Sequence, residues 1–192
     1  MKIVRVLGSP RQKANSSIIA ERFCSTAQEL GAETRTFTLN DLNFRACQGC
    51  YACKKKLDRC VLEDDLTEVL DAVRETNILV LASPVYYWDV SAQMKAFLDR
   101  TFSFLVPDFI TNPRKSRLDP GKKLVLILAQ NNPDKDSFPD IFTKFDYFFR
   151  AYGFTDTRLV RAFGVGSPGA VESHKDVLEL AEKTAKDLCG GN

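Results

Sequence analysis

Four of the chain's six cysteines, Cys47, Cys50, Cys53 and Cys60, lie close together in the stretch CQGCYACKKKLDRC. Thiolates at the spacing CxxCxxC wrap one compact centre, and such runs are typical of four-iron four-sulfur clusters. Structural zinc more often pairs a CxxC with a second, distant pair of ligands. A redox dithiol would leave two of the cysteines unexplained. We therefore expect metal ligands here, with a four-iron cluster, zinc and free thiols as the open alternatives.

Composition and charge set the class of protein that carries these cysteines. With 192 residues and 44% hydrophobic content, the chain suits one domain with a sizeable core. A formal net charge of +2 favours neither nucleic acid nor an anionic membrane as a partner. The apolar run that starts the chain breaks at Gly8, too early for a secretory signal. We expect a cytoplasmic protein, and in that reducing compartment a structural disulfide is the least favoured use of the cysteines.

Apolar runs and helical periodicities alternate along the chain. They predict strands at 2–7, 34–39, 78–82, 124–129 and 159–163, and helices at 15–31, 64–75, 91–105, 138–152 and 171–188. Strands that read as buried on both faces, separated by helices, indicate a parallel sheet covered on both sides. We predict a flavodoxin-like α/β fold: a doubly wound five-stranded parallel sheet in one domain, 1–192, with a cysteine-rich insertion at about 41–63. Ligands of such folds bind beyond the carboxyl ends of the strands.

The loop after the first strand reads GSPRQKANSS and begins the first helix. Its hydroxyls, guanidinium and free backbone amides favour a phosphate-binding site. The residues concerned are Ser9, Arg11, Asn15, Ser16 and Ser17. The alternative is an ordinary helix start, with Asn15 as the N-cap and Arg11 solvated. The spacing matches neither a Walker loop nor a dinucleotide fingerprint, and we interpret the later GVGSPG, at 164–169, as a glycine-rich turn.

The loop after the third strand carries consecutive aromatic residues at the ligand-facing edge. It supplies Pro84, Val85, Tyr86, Tyr87 and Trp88. A planar heteroaromatic cofactor would gain from stacking and burial against such a segment. The alternative is that these aromatics pack beneath a loop or form a subunit contact.

As a set, three motifs resemble the NADPH-dependent FMN reductase family, and especially its iron-sulfur flavoprotein branch. They are GSPRxxxNS, CxGCxxCxxxxxxC followed by Asp64 and Asp65, and SPVYYxxxSxQMKxFxDR. The resemblance implies bound FMN, with its phosphate near Ser9 to Ser17 and its ring held by Pro84 to Trp88. It also implies a contribution from the loop after the fourth strand, at Ala129, Gln130 and Asn131, and a homodimer or tetramer.

We therefore predict a flavin-dependent NAD(P)H oxidoreductase. Electrons would pass from a reduced nicotinamide or a protein donor through FMN to a quinone, a flavin or an electron carrier. The alternative is a non-enzymatic, flavodoxin-like electron carrier. No catalytic residue of the chain itself is expected, because the only histidine, His174, is a poor general acid or base at the start of the last helix.

Charged residues near these motifs and the two remaining cysteines carry simpler expectations. Lys54, Lys55 and Lys56 should form a solvated face, or else dock an acidic partner or the NADPH 2′-phosphate. Asp99 and Arg100 should pair locally or at a subunit interface. The two cysteines outside the cluster, Cys24 and Cys189, should be inert thiols in helices.

Overall fold

The computed structural model describes residues 1–190 and has a parallel β-sheet at its centre. Its strands are β1 (Lys2–Leu7), β2 (Glu33–Thr38), β3 (Ile78–Tyr86), β4 (Asp89–Val90), β5 (Lys122–Ala129) and β6 (Phe154–Ala162). The spatial order is β2-β1-β3-β5-β6, with all neighbours parallel, and the short β4 pairs antiparallel with β3. This order confirms the predicted flavodoxin-like fold.

Helices cover both faces of the sheet, as predicted. They are α1 (Asn15–Glu29), α2 (Leu66–Glu75), α3 (Ala92–Arg100), α4 (Asp140–Ala151) and α5 (Lys175–Cys189). Helices α1 and α5 pack on one face, and α2, α3 and α4 pack on the other. Alternate residues of β3 serve the two faces, with Leu79 and Leu81 in one core and Ile78 and Val80 in the other. No helix within residues 1–190 is both long enough and apolar enough to cross a lipid bilayer.

Two strands, β3 and β6, extend at least four residues beyond their predicted bounds. Strand β6 begins at Phe154. Its first half was not predicted because the strand lies at the edge of the sheet, where exposed polar side chains interrupt the apolar pattern of a strand. Strand β3 continues through Pro84 to Tyr86. The pairing with β1 ends at Ala82, so Pro84 lies where the strand has become an edge, which is where proline is tolerated.

Helix α3 ends earlier than predicted. Helix α3 ends at Arg100 and is followed by a 3₁₀ turn, Thr101–Phe104. The tighter turn directs the backbone carbonyls of Phe102 and Leu105 toward Lys54 in the cysteine-rich region.

Strands β3 and β4 form a hairpin whose tip is Tyr87 and Trp88. Their φ angles are 49° and 66°. A two-residue hairpin with positive φ at both central positions normally uses Asn-Gly, since bulky residues are strained in this region. Both side chains point largely into solvent, being 92% and 66% exposed. The hairpin therefore displays two aromatic rings on a strained backbone.

Candidate functional site

A cleft of about 420 Å³ opens at the carboxyl ends of β1, β3, β5 and β6. We call it the strand-end cleft, and its lining consists of Ser9, Arg11, Ala14, Asn15, Ser16, Pro84, Val85, Tyr86, Ala129, Asn131, Val165, Gly166, Ser167 and Pro168. It brings together most of the residues predicted to contact a flavin, although they come from three separate loops. The carboxyl ends of parallel strands meet at one edge of the sheet, which explains this convergence.

The start of helix α1 presents unused polar groups to the strand-end cleft. The helix begins after Ala14, and no described side chain caps it. The Oγ of Ser16 is enclosed and has no hydrogen-bond partner among the described residues. At the rim, the Ser9 hydroxyl accepts a bond of 3.2 Å from the Arg11 amide. Uncapped amides and an unpartnered buried hydroxyl at a helix N-terminus form an arrangement suited to an anion.

Asn15 does not cap the helix, which sets aside the ordinary-cap interpretation. Its Nδ2 donates to the carbonyls of Val165, at 3.0 Å, and Ser167, at 2.9 Å. Its Oδ1 accepts from the amide of Val171 at 3.0 Å. The buried Asn15 side chain thus fastens the connection between β6 and α5 to the first helix.

The GVGSPG turn lies directly on the strand-end cleft, a role that sequence reasoning missed. Arg11 donates to the carbonyl of Gly166 at 3.0 Å. A Cβ at Gly166 would clash with the side-chain oxygen of Asn131, so a larger residue at this position would displace the Asn131 side chain. The available signal was the position of the turn, immediately after a strand at the ligand-binding edge. The spacing of its glycines, compared only with a dinucleotide fingerprint, does not show this role.

A buried hydroxyl network holds the wall of the cleft. Ser91 Oγ donates to the Gly8 carbonyl at 2.5 Å and accepts from the Met94 amide at 3.2 Å, which caps α3. The Ser91 amide in turn donates to Ser83 Oγ at 2.9 Å. Because these bonds are shielded from water, the ends of β1 and β3 and the start of α3 are held in one fixed arrangement.

Four residues predicted for the flavin lie outside the strand-end cleft. Ser17 is half-buried on α1. Tyr87 and Trp88 sit at the hairpin tip, where Trp88 packs edge-on against Phe138 with ring centroids 5.6 Å apart. Gln130 is buried and directs its amide away from the cleft, accepting from Arg161 Nε at 2.8 Å. None of these four residues lines the cleft.

A second cavity, of about 530 Å³, is lined by all four clustered cysteines. We call it the cysteine cavity, and its other walls come from α3, the 3₁₀ turn and α4. Cys47 and Cys50 are exposed, Cys53 and Cys60 are half-buried, and all four are free thiols. Within residues 1–190, no three Cys, His, Asp or Glu side chains come close enough to hold a single metal ion. The sulfurs thus share a cavity without forming a one-ion cage.

The prediction of a solvated lysine face is wrong for Lys54. Its Nζ donates to the carbonyls of Phe102, at 2.6 Å, and Leu105, at 2.8 Å, and lies 4.1 Å from the centre of the Phe102 ring. The same Nζ lies 3.7 Å from Cys53 Sγ. Burial lowers the pKa of the Lys54 ammonium. Carbonyls at the end of the 3₁₀ turn attract this cation inward, whereas Lys55 and Lys56 are exposed.

Arg100 pairs with Asp64, not with its neighbour Asp99. Its NH1 and NH2 donate to the two Asp64 oxygens at 2.9 and 3.1 Å, and the Arg100 side chain is completely buried. Burial opposes ionisation of Asp64, but hydrogen bonds from Arg100 and from the Arg45 amide hold its pKa below the ordinary value. Asp99 pairs locally, with Lys95 at 2.5 Å. Arg100 bonds to the Arg45 carbonyl as well as to Asp64, so it holds the two ends of the cysteine-rich segment together.

Comparison with known proteins decides the family. The family model described as NADPH-dependent FMN reductase matches residues 1–129. The chain belongs to this family. An iron-sulfur flavoprotein of Archaeoglobus fulgidus is 38% identical over 97% of this chain and 80% of its own length. Another, from Methanocaldococcus jannaschii, is 36% identical over 53% of this chain and only 52% of that relative.

Solved structures agree on the fold. An NAD(P)H:quinone oxidoreductase from Methanothermobacter marburgensis superimposes with a TM-score of 0.76 at 19% identity, over 98% of this chain and 96% of that one. An FMN-dependent NADH-azoreductase from Bacillus anthracis gives a TM-score of 0.71 at 17% identity, over 98% and 100%. At this identity the likeness concerns the fold alone.

The family match confirms the predicted family. It also confirms the predicted class, a flavin-dependent oxidoreductase that uses FMN as cofactor and NAD(P)H as cosubstrate. It does not favour the non-enzymatic electron carrier. The oligomeric state and the cytoplasmic location stay predictions.

Proposed function

We propose that the strand-end cleft binds FMN and that the protein passes electrons from NAD(P)H to a quinone, a flavin or an electron-carrier protein. The observation that carries this proposal is the enclosed, unpartnered hydroxyl of Ser16 at the uncapped start of α1. A buried hydroxyl without a partner costs about 1–3 kcal/mol. A phosphate oxygen bound at the helix N-terminus would remove that cost.

The chain's own residues would bind and orient the cofactor. Ser9, Asn15 and Ser16 lie with the start of α1 at the phosphate end, and Arg11 supplies a cation at the rim. Pro84, Val85, Tyr86, Ala129 and Asn131 form the remaining wall, which suits the ring system. Bound FMN supplies the hydride and electron chemistry. The other predicted residues, Ser17, Tyr87, Trp88 and Gln130, lie outside the cleft and would make no contact with FMN in this arrangement.

We further propose that Cys47, Cys50, Cys53 and Cys60 ligate a four-iron four-sulfur cluster. A cluster is larger than a single ion, so its cysteine sulfurs stand farther apart than the ligands of zinc do. All four thiols line one cavity, the Lys54 ammonium approaches Cys53, and the buried Arg100 lines the same cavity, which suits an anionic thiolate centre. The name iron-sulfur flavoprotein, carried by both relatives, supports the same assignment.

A homodimer or tetramer in the cytoplasm completes the proposal. Exposed apolar side chains on one face of α4, Tyr147 at 72% and Phe148 at 49%, are in keeping with a subunit contact.

The test is a visible absorption spectrum of anaerobically purified protein, recorded before and after addition of NADPH. We expect a flavin spectrum above broad iron-sulfur absorbance, bleached by NADPH. Flavin without iron would contradict the cluster and leave zinc or free thiols. A protein that stays colourless with added FMN would contradict the assignment of the strand-end cleft.

In the same experiment, Cys53→Ser should retain flavin and lose iron, because Cys53 lines only the cysteine cavity. Loss of flavin in this variant would mean that the two sites do not function separately.

A further inference from the structure

We propose that Lys54, Arg100 and Arg117 are positioning residues that hold the cysteine ligands in place and make the cluster easier to reduce. This inference rests on the proposed function, since it concerns the cluster assigned to the cysteine cavity. The three side chains come from different parts of the chain: Lys54 and Arg117 contact Cys53, and Arg100 lines the cysteine cavity together with Cys60.

Lys54 acts on the sulfur of Cys53. Its ammonium is fixed by two carbonyls, those of Phe102 and Leu105, and by the face of the Phe102 ring. Held in this way, the Nζ stands 3.7 Å from Cys53 Sγ. A lysine with these three attachments keeps its charge at one point, unlike a mobile surface lysine.

Arg117 acts on the backbone of the same cysteine. Its NH2 donates to the Cys53 carbonyl at 2.9 Å, and its NH1 donates to the Ser103 carbonyl at 2.8 Å and also to that of Leu105. Lys54 and Arg117 therefore bind the same turn, Thr101–Phe104 with the residue that follows it, from two directions. Together they tie Cys53 to a segment that belongs to the core of the fold.

Arg100 acts on another wall of the cysteine cavity, which Cys60 also lines. Four of its hydrogen bonds reach Asp64, the Arg45 carbonyl and the Leu62 carbonyl. Its Nε is enclosed and has no partner among the described residues, and Arg100 and Cys60 both line the cysteine cavity. An unused, buried N–H in the wall of this cavity is suited to donate to a thiolate bound to iron.

The electrostatic consequence follows from the charge of the centre. A four-iron cluster with four thiolates is anionic, and reduction adds one more negative charge. A fixed cation nearby stabilises the reduced form more than the oxidised form, so it raises the reduction potential. Removal of one such cation should lower the potential.

The experiment compares Lys54→Met with Lys55→Met after anaerobic reconstitution with iron and sulfide. Methionine keeps the apolar stem of lysine and removes its charge, and Lys55 is the exposed neighbour that contacts no ligand sulfur. Three quantities are measured on the full chain: iron per chain, FMN per chain, and the cluster midpoint potential by EPR-monitored titration. For Lys54→Met we expect a shift of about tenfold toward the oxidised cluster, or about 59 mV for one electron.

Lower potential in Lys54→Met, or loss of its iron with FMN retained, supports the inference when Lys55→Met matches the wild type. Equal iron and equal potential in wild type and Lys54→Met would overturn it, as would equal shifts in both variants. A wild type that takes up no iron but bleaches its flavin with NADPH would overturn the cluster itself, which is a different and recognisable failure.

Discussion

Replacement of Ser16 by alanine should weaken FMN binding without lowering the stability of the apo protein. In the absence of FMN, the enclosed Ser16 hydroxyl has no partner among the described residues, so its removal should relieve a cost of about 1–3 kcal/mol. A hydrogen bond from this hydroxyl to a phosphate would contribute about 1.5–3 kcal/mol to FMN binding. Ser16→Ala should therefore bind FMN about 10- to 150-fold more weakly, while the apo protein unfolds at an equal or higher urea concentration.

The assay is a fluorescence titration of apo protein with FMN, paired with urea unfolding of the same preparation. Riboflavin, which lacks the phosphate, is the matched ligand, and its affinity should not change. Ser17→Ala is the matched variant, because Ser17 is adjacent in the helix but does not line the cleft. An FMN affinity within about threefold of wild type, or equal losses of FMN and riboflavin affinity, would refute the reasoning.

Three further substitutions test other parts of the structure. Asp64→Asn should lower the free energy of unfolding by about 3–5 kcal/mol in urea, because it leaves the buried charge of Arg100 without its partner. Since folding lowers the pKa of Asp64, the stabilisation is present above the unfolded-state pKa and is lost as pH falls through the folded value; acid unfolding should be less steep in the variant. Trp88→Gly should raise the free energy of unfolding by about 1 kcal/mol, because it relieves a positive φ at the hairpin tip, and FMN affinity should not change. Gly166→Ala should weaken FMN binding about tenfold in the same fluorescence titration, because its Cβ would displace a side chain of the cleft wall.

The first two substitutions have matched controls. Asp99→Asn removes an exposed pair within one helix and should cost about 0.3–0.5 kcal/mol; a cost as large as that of Asp64→Asn would argue against the special role of burial. Trp88→Asn should behave like Trp88→Gly, since asparagine also tolerates positive φ, and a loss of stability in both would show that the ring contributes more than the strain costs. Unchanged FMN affinity in Gly166→Ala would show that the neighbouring loop yields.

The strand-end cleft was largely predictable from the sequence for a topological reason. Once Lys2–Leu7 and the apolar start of β3 are recognised as parallel strands, their carboxyl ends must meet at one edge. Ser9 and Tyr86 therefore come together although 77 positions separate them in the numbering. Local sequence patterns were enough to predict the cleft, because the order of the parallel strands brings their following loops together.

The contacts around the cysteine cavity were not predictable in this way. Lys54 is drawn inward by carbonyls at positions 102 and 105, and Arg100 selects Asp64, which is 36 residues earlier, over adjacent Asp99. Side-chain choices of this kind depend on which backbone groups lack partners, and a single sequence does not display them. The hairpin between β3 and β4 was not predictable for a different reason. Tyr87 and Trp88 are not the residues that a two-residue turn with positive φ normally uses, so the local sequence does not indicate the turn.

The bonds of Asn15 also bear on the order in which the protein matures. Its side chain is emerging from the ribosome when its three backbone partners, near positions 165 to 171, have yet to be translated. Until then the Asn15 amide is hydrated and the cleft lacks the wall that begins at Val165. The strand-end cleft, which we propose binds FMN, is therefore completed only after the first 164 of the 192 residues have been translated. A nascent chain stalled before residue 165 should carry no bound flavin.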